Sequence, residues 1–177
     1  MILTPKHILR RFGRSDRGAA ALEFAMVAPV LIALLFGTIE TGWTMVQTMM
    51  LDRALDTTVR ALRIGDMVNP TQQTMRRDIC RDALVLIDCE ANLALEFIPI
   101  VTSASYPNDN TRCVDRTGRI NPVLRFNSGT RSQTVFIRAC FMVRPMIPGV
   151  ALGLALPKDE TGAYRIIAKS GFVNEPS

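Results

Sequence analysis

From Ala19 to Ile39 the chain reads AAALEFAMVAPVLIALLFGTI, 21 residues with a single charge, Glu23. As a helix rising about 1.5 Å per residue, this run covers about 31 Å, one hydrocarbon core. It is too long for a secretory h-region of about 7–15 residues. Pro29 and Gly37 are tolerated in membrane helices. Ahead of it lie Lys6, Arg10, Arg11, Arg14 and Arg17 against Asp16 alone, a net +4 of the whole chain's +5. The basic balance therefore belongs to the tail. Beside an apolar span it reads as the positive-inside signal rather than a nucleic-acid arm. The expected topology is a single pass through the inner membrane, with residues 1–18 cytoplasmic. Everything beyond about residue 43 is expected in the periplasm, with Trp43 in the interfacial belt.

The helix is expected to outlast the membrane. Ile39, Trp43, Val46, Met50, Leu55, Val59 and Leu62 recur at helical steps, with Asp52, Arg53, Asp56, Arg60 and Arg63 between them. That pattern predicts an amphipathic continuation to about Ile64, stopped by Gly65. The segments are then a basic leader at 1–18, a membrane helix at 19–40, its amphipathic continuation at 41–65 and an extracytoplasmic domain at 66–177. Met45, Met49 and Met50 read as ordinary packing, or as an adaptable contact surface.

In the external domain, Asn69-Pro70 predicts a helix over about 70–87, with Asn69 as N-cap and Pro70 at the first helical position. Met75, Ile79, Ala83 and Leu86 mark its inner face. Three β-type runs follow. Leu93–Val101 carries Pro99, which makes it an edge strand or ends it. Thr134–Val143 alternates through Val135, Ile137, Ala139, Phe141 and Val143; Tyr164–Val173 does so through Tyr164, Ile166 and Ala168. The stretch between the first two runs is rich in Asn, Asp, Gly and Pro and is expected as loop. The apolar loop 147–156 is too short to span a bilayer. Grazing the membrane, covering a contact with another component and packing in the domain's own core all remain open for it. The expected class is α+β: a long N-terminal helix, a second helix and a small antiparallel sheet.

The membrane junction, RSDRG–AAALEF–AMVAPVLIALLF, has Gly18 closing the basic tail, Glu23 as the fifth residue after it and Phe24 as the sixth. This arrangement resembles the processing site of prepilins. It is most similar to the TadE-like pseudopilins of tight-adherence (Flp-type) pilus systems, whose RG-A-x-x-x-E-F stretch precedes an apolar span with a Pro. The closing run from Phe141 to Pro176 is also similar to the end of such chains. The resemblance implies cleavage between Gly18 and Ala19 by a membrane prepilin peptidase. It implies assembly with other pilins and pseudopilins in the inner membrane, in a system of cell adhesion. A carboxylate at the bilayer centre costs at least about 2.5–3.5 kcal/mol, so Glu23 needs a partner. The α-amine freed at Ala19, in a neighbour or in the same chain, would supply one. The alternative is that Glu23 snorkels to the cytoplasmic headgroups.

Cys80, Cys89, Cys113 and Cys140 all follow the span, on the side expected to be oxidising, and read as two structural disulfides. Four cysteines allow three pairings. The resemblance favours Cys80–Cys89, which leaves Cys113–Cys140. The first pair carries a condition. Nine helical residues separate Cα atoms by about 13 Å, whereas a disulfide needs less than about 7 Å. The helix must therefore end near Leu86–Asp88 and the chain fold back.

Catalysis is not expected. The one histidine, His7, lies in the leader. No Gly-rich phosphate loop, metal-ligand cluster or nucleophile motif is present, so no catalytic residue, metal, cofactor or nucleic-acid partner is assigned. The leading expectation is a minor pseudopilin. The runner-up is an uncleaved, membrane-anchored periplasmic scaffold or chaperone of the same apparatus.

Overall fold

The computed structural model describes residues 18–67, 70–102, 113, 125–127, 129–130, 132–147, 155–159 and 161–173. Helix α1 runs unbroken from Ala19 to Arg63, 45 residues, with Pro29 inside it. Its end follows from Gly65, whose φ of +76° only glycine adopts without strain. The Gly65 N–H donates to the Leu62 carbonyl and the Asp66 N–H to that of Ala61. These two bonds satisfy carbonyls that a helix end otherwise leaves open.

Helix α2 spans Gln72–Asp82 and the short α3 spans Cys89–Asn92. The expected cap at Asn69-Pro70 is corrected. Asn69 lies outside the described residues, and the N-cap is Thr71. The Thr71 hydroxyl accepts from the Thr74 N–H at 3.1 Å, and the Thr74 hydroxyl accepts from the Thr71 N–H at 2.9 Å. That reciprocal box satisfies two backbone donors at once, so the helix starts two residues later than the Pro rule suggests. It also ends at Asp82 instead of about 87. Residues 83–88 form turns, and Asp88 takes a left-handed φ of 51° that reverses the chain.

Strands β1 (Leu93–Pro99), β2 (Thr134–Val143) and β3 (Tyr164–Val173) form an antiparallel sheet in that order. β1 stops at Pro99, two residues short of the run read from sequence, because proline cannot donate to the ladder. Its outer edge pairs briefly with Arg125–Asn127: the Phe97 N–H donates to the Arg125 carbonyl and the Asn127 N–H to that of Phe97. One face of the sheet carries Leu95, Phe97, Val135, Ile137, Phe141, Ile166 and Ala168 against the helices. α1 lies along β3, with Thr44 beside Tyr164 and Asp56 beside Ser170. α2 meets β1, where the Gln72 amide donates to the Leu95 carbonyl. Leu51, Leu55, Met75 and Ile79 fill the space between. Each such side chain contributes about 1.5–3 kcal/mol by leaving water.

The inner face of α1 differs from the one read from sequence. Leu55 and Val59 are buried as expected, but Ile39, Trp43 and Val46 are exposed. Glu40, Gln47, Leu51, Ala54 and Thr58 take the inner positions. The hydrophobic stripe is thus continuous only from Leu51 onward. Nearer the membrane, polar side chains face the sheet and apolar ones face out.

Candidate functional site

From Ala19 to Ile39 no residue of α1 is buried. Its most apolar window has no buried residue, and Phe24, one of the most exposed, is 74% accessible. Among the described residues it is the one helix long and apolar enough to cross a membrane. A bare apolar rod this long is incompatible with water. With its placement near the N-terminus, it gives a single-pass membrane topology.

Gly18 caps this helix with φ −89° and no side-chain bond. A Cβ added there would meet nothing within 4 Å. Among the described residues, nothing packs where a side chain at this position would go. Ala19 and Glu23 are four residues apart, on one face and about 6 Å along the axis. Glu23 is exposed and has no hydrogen-bond or ion-pair partner among the described residues. Ala19, Ala20, Ala21 and Ala25 leave the backbone approachable over the same two turns, the surface that membrane helices use for close packing. The leader, residues 1–17, lies outside the described residues.

At the membrane exit the helix becomes polar. The Thr38, Thr41, Thr44 and Thr48 hydroxyls donate back to carbonyls three or four residues earlier, which satisfies them inside the helix. Glu40 is only 2% exposed, and its carboxylate accepts from the Met146 N–H at 3.1 Å. Thr44 shares a 2.9 Å hydrogen bond with the Tyr164 hydroxyl. Burial raises the Tyr164 phenol above its ordinary range; the Glu40 charge adds to this and the Thr44 contact opposes it. Sequence reasoning missed this polar seam. Its trace was legible, since Glu40, Thr44, Gln47 and Leu51 recur at steps of four, three and four.

The domain beyond is clasped twice. Cys80 is joined to Cys89 with Cα atoms 5.5 Å apart, and Cys113 to Cys140 at 5.7 Å. The reversal at Asp88 is what allows the first bridge. The second fixes Cys113 on the sheet face turned away from the helices. That face also holds a buried ion pair, Arg138 with Glu96, directly opposite each other across β1 and β2. Among the described residues no group of three His, Cys, Asp or Glu side chains is placed to hold a metal. The apolar loop 147–156 falls largely outside the described residues.

The family model described as TadE-like protein matches residues 18–60, which begins at Gly18 and ends within the domain half of α1. No curated protein and no solved structure matches the chain.

Proposed function

From the match of residues 18–60 to the TadE-like family model, we propose that the chain is a structural pseudopilin of pilus assembly and not a catalyst, made as a precursor and cut between Gly18 and Ala19. The enzyme would be the prepilin peptidase of the pilus system. The observation that carries this reading is Gly18, which no contact among the described residues requires, directly before an exposed apolar helix and at the start of the family match. Glu23 then has a role. Cleavage creates an α-amine at Ala19, and the Glu23 carboxylate of an adjacent subunit pairs with it as the helices pack. The pair removes two charges from the bilayer that would each cost several kcal/mol alone. The same reading places residues 1–18 in the cytoplasm and residues 66–177 in the periplasm. The two disulfides support that side for the domain, since disulfides persist in oxidising compartments.

The test is the mass and N-terminal sequence of the membrane-extracted protein, with and without the peptidase. A peptidase-dependent start at Ala19 is expected. An intact leader, in cells whose peptidase cuts other pilins, refutes the reading and makes the chain a permanently anchored scaffold.

A further inference from the structure

We propose that the membrane-facing end of the domain holds the headgroup of a phosphoethanolamine phospholipid. A cavity of about 430 Å³ opens there between α1, α3 and the end of β2, lined by Trp43, Gln47, Asp88, Asn92, Arg144 and Met146 among others. Its volume lies in the range of small-molecule sites, about 300–1,000 Å³.

The Gln47 side chain points to a ligand. It is 4% exposed, lines the cavity, and its buried Oε1 accepts no hydrogen bond. A buried acceptor without a partner is costly, about 1–3 kcal/mol. An incoming N–H donor would relieve that cost.

The order of charges along the membrane normal identifies the donor. Met146 lies level with Glu40, one residue past the apolar run. Val143 lies opposite Tyr164, which touches Thr44. Arg144 therefore sits between those two levels, inside the headgroup layer. Gln47 is about 12 Å past Ile39 along the helix. Asn92 precedes Leu93, which pairs with Phe141, two residues farther out than Val143. The cation is thus nearest the hydrocarbon and the acceptors lie beyond it. A phospholipid has the same polarity: its phosphate sits near the acyl chains and its amine farther out. Arg144 would hold the phosphate, and Gln47 with Asp88 would accept from the ammonium. Neither Arg144 nor Asp88 has a side-chain partner among the described residues. Trp43, 38% exposed, also lines the cavity. The proposal requires the membrane span and not the cleavage.

The full chain is placed in nanodiscs of phosphatidylcholine containing a minority of phosphatidylethanolamine, and co-retained lipid is counted by native mass spectrometry. Choline carries the same phosphate but no N–H. Phosphatidylethanolamine is expected to be enriched about tenfold, as the loss of charge-assisted hydrogen bonds predicts. Gln47→Leu should reduce the enrichment several-fold, whereas Gln47→Glu, which keeps the acceptor, should preserve it. Arg144→Ala should weaken retention of both lipids and leave their ratio unchanged. Equal retention of the two lipids by the unaltered chain overturns the proposal. So does an enrichment indifferent to Gln47→Leu, the loss of it in Gln47→Glu with the disulfides intact, or closure of the cavity by a second copy with lipid excluded.

Discussion

Replacing Cys113 and Cys140 together with alanine frees two residues 27 apart in sequence, while the same change at Cys80 and Cys89 frees residues 9 apart. The loop-closure model assigns the unfolded chain an entropy penalty that grows with the logarithm of loop size. With loops of about 28 and about 10 residues it gives about 3.6 and about 2.7 kcal/mol at 25 °C. Local structure should widen the gap. Cys113 and Cys140 are both buried on the outer face of the sheet, whereas Cys80 is only partly buried. The assay is pulse proteolysis of the full chain in non-ionic detergent across a urea series. At a slope of about 2 kcal/mol per M, the midpoint should fall by about 1.8 M for the longer loop and about 1.3 M for the shorter. The outcome that would falsify the reasoning is a larger loss from Cys80 and Cys89 than from Cys113 and Cys140. Stabilisation would then come from local packing around α2 and α3 and not from chain entropy.

Other expectations are as direct. Glu23→Gln should impair assembly while leaving the domain's urea midpoint unchanged; wild-type processing and wild-type assembly together would remove Glu23 from the mechanism. Glu96→Leu alone removes a charge partner from the buried guanidinium of Arg138 and should cost about 3–5 kcal/mol, whereas Glu96→Leu with Arg138→Met should come closer to neutral. A double-mutant cycle by urea unfolding checks this, and additive losses would refute it. Because the folded state raises the Tyr164 pKa, its neutral phenol is the favoured form. That contribution is complete below the unfolded value of about 10 and is lost as pH rises through the folded one. Alkaline unfolding should therefore shift in Tyr164→Phe, and an unchanged profile would count against it.

Much of the fold was legible because it rests on short-range periodicity. β2 and β3 lie where alternation put them, since one face of each strand meets helices. The long helix ended where a glycine had to take a positive φ. Most of what escaped the sequence depends on a distant partner. Ile39, Trp43 and Val46 continue the helical pattern, yet near the membrane the choice of inner face is made by what the sheet offers. There the sheet offers the Tyr164 hydroxyl and the Met146 N–H, which suit Thr44 and Glu40. Arg138 and Glu96 sit at outward positions of alternating strands, and nothing local in the sequence pairs them. Only the register shows that they oppose each other out of water. The start of α2 was misplaced because a Thr71–Thr74 hydroxyl exchange is a weaker sequence signal than Asn-Pro.

The continuity of α1 couples the bilayer to the domain as a lever arm does. Its last 24 residues, from Glu40 to Arg63, carry the domain core without a break in the helix. They span about 36 Å, so a tilt of the membrane half by about 20°, common for such helices, would swing the far end by about 12 Å. Pro29 is the one proline along this rod, and it lies within the apolar half, so any bend it introduces is magnified outside. How membrane helices pack against one another would therefore set the spacing of the domains above them.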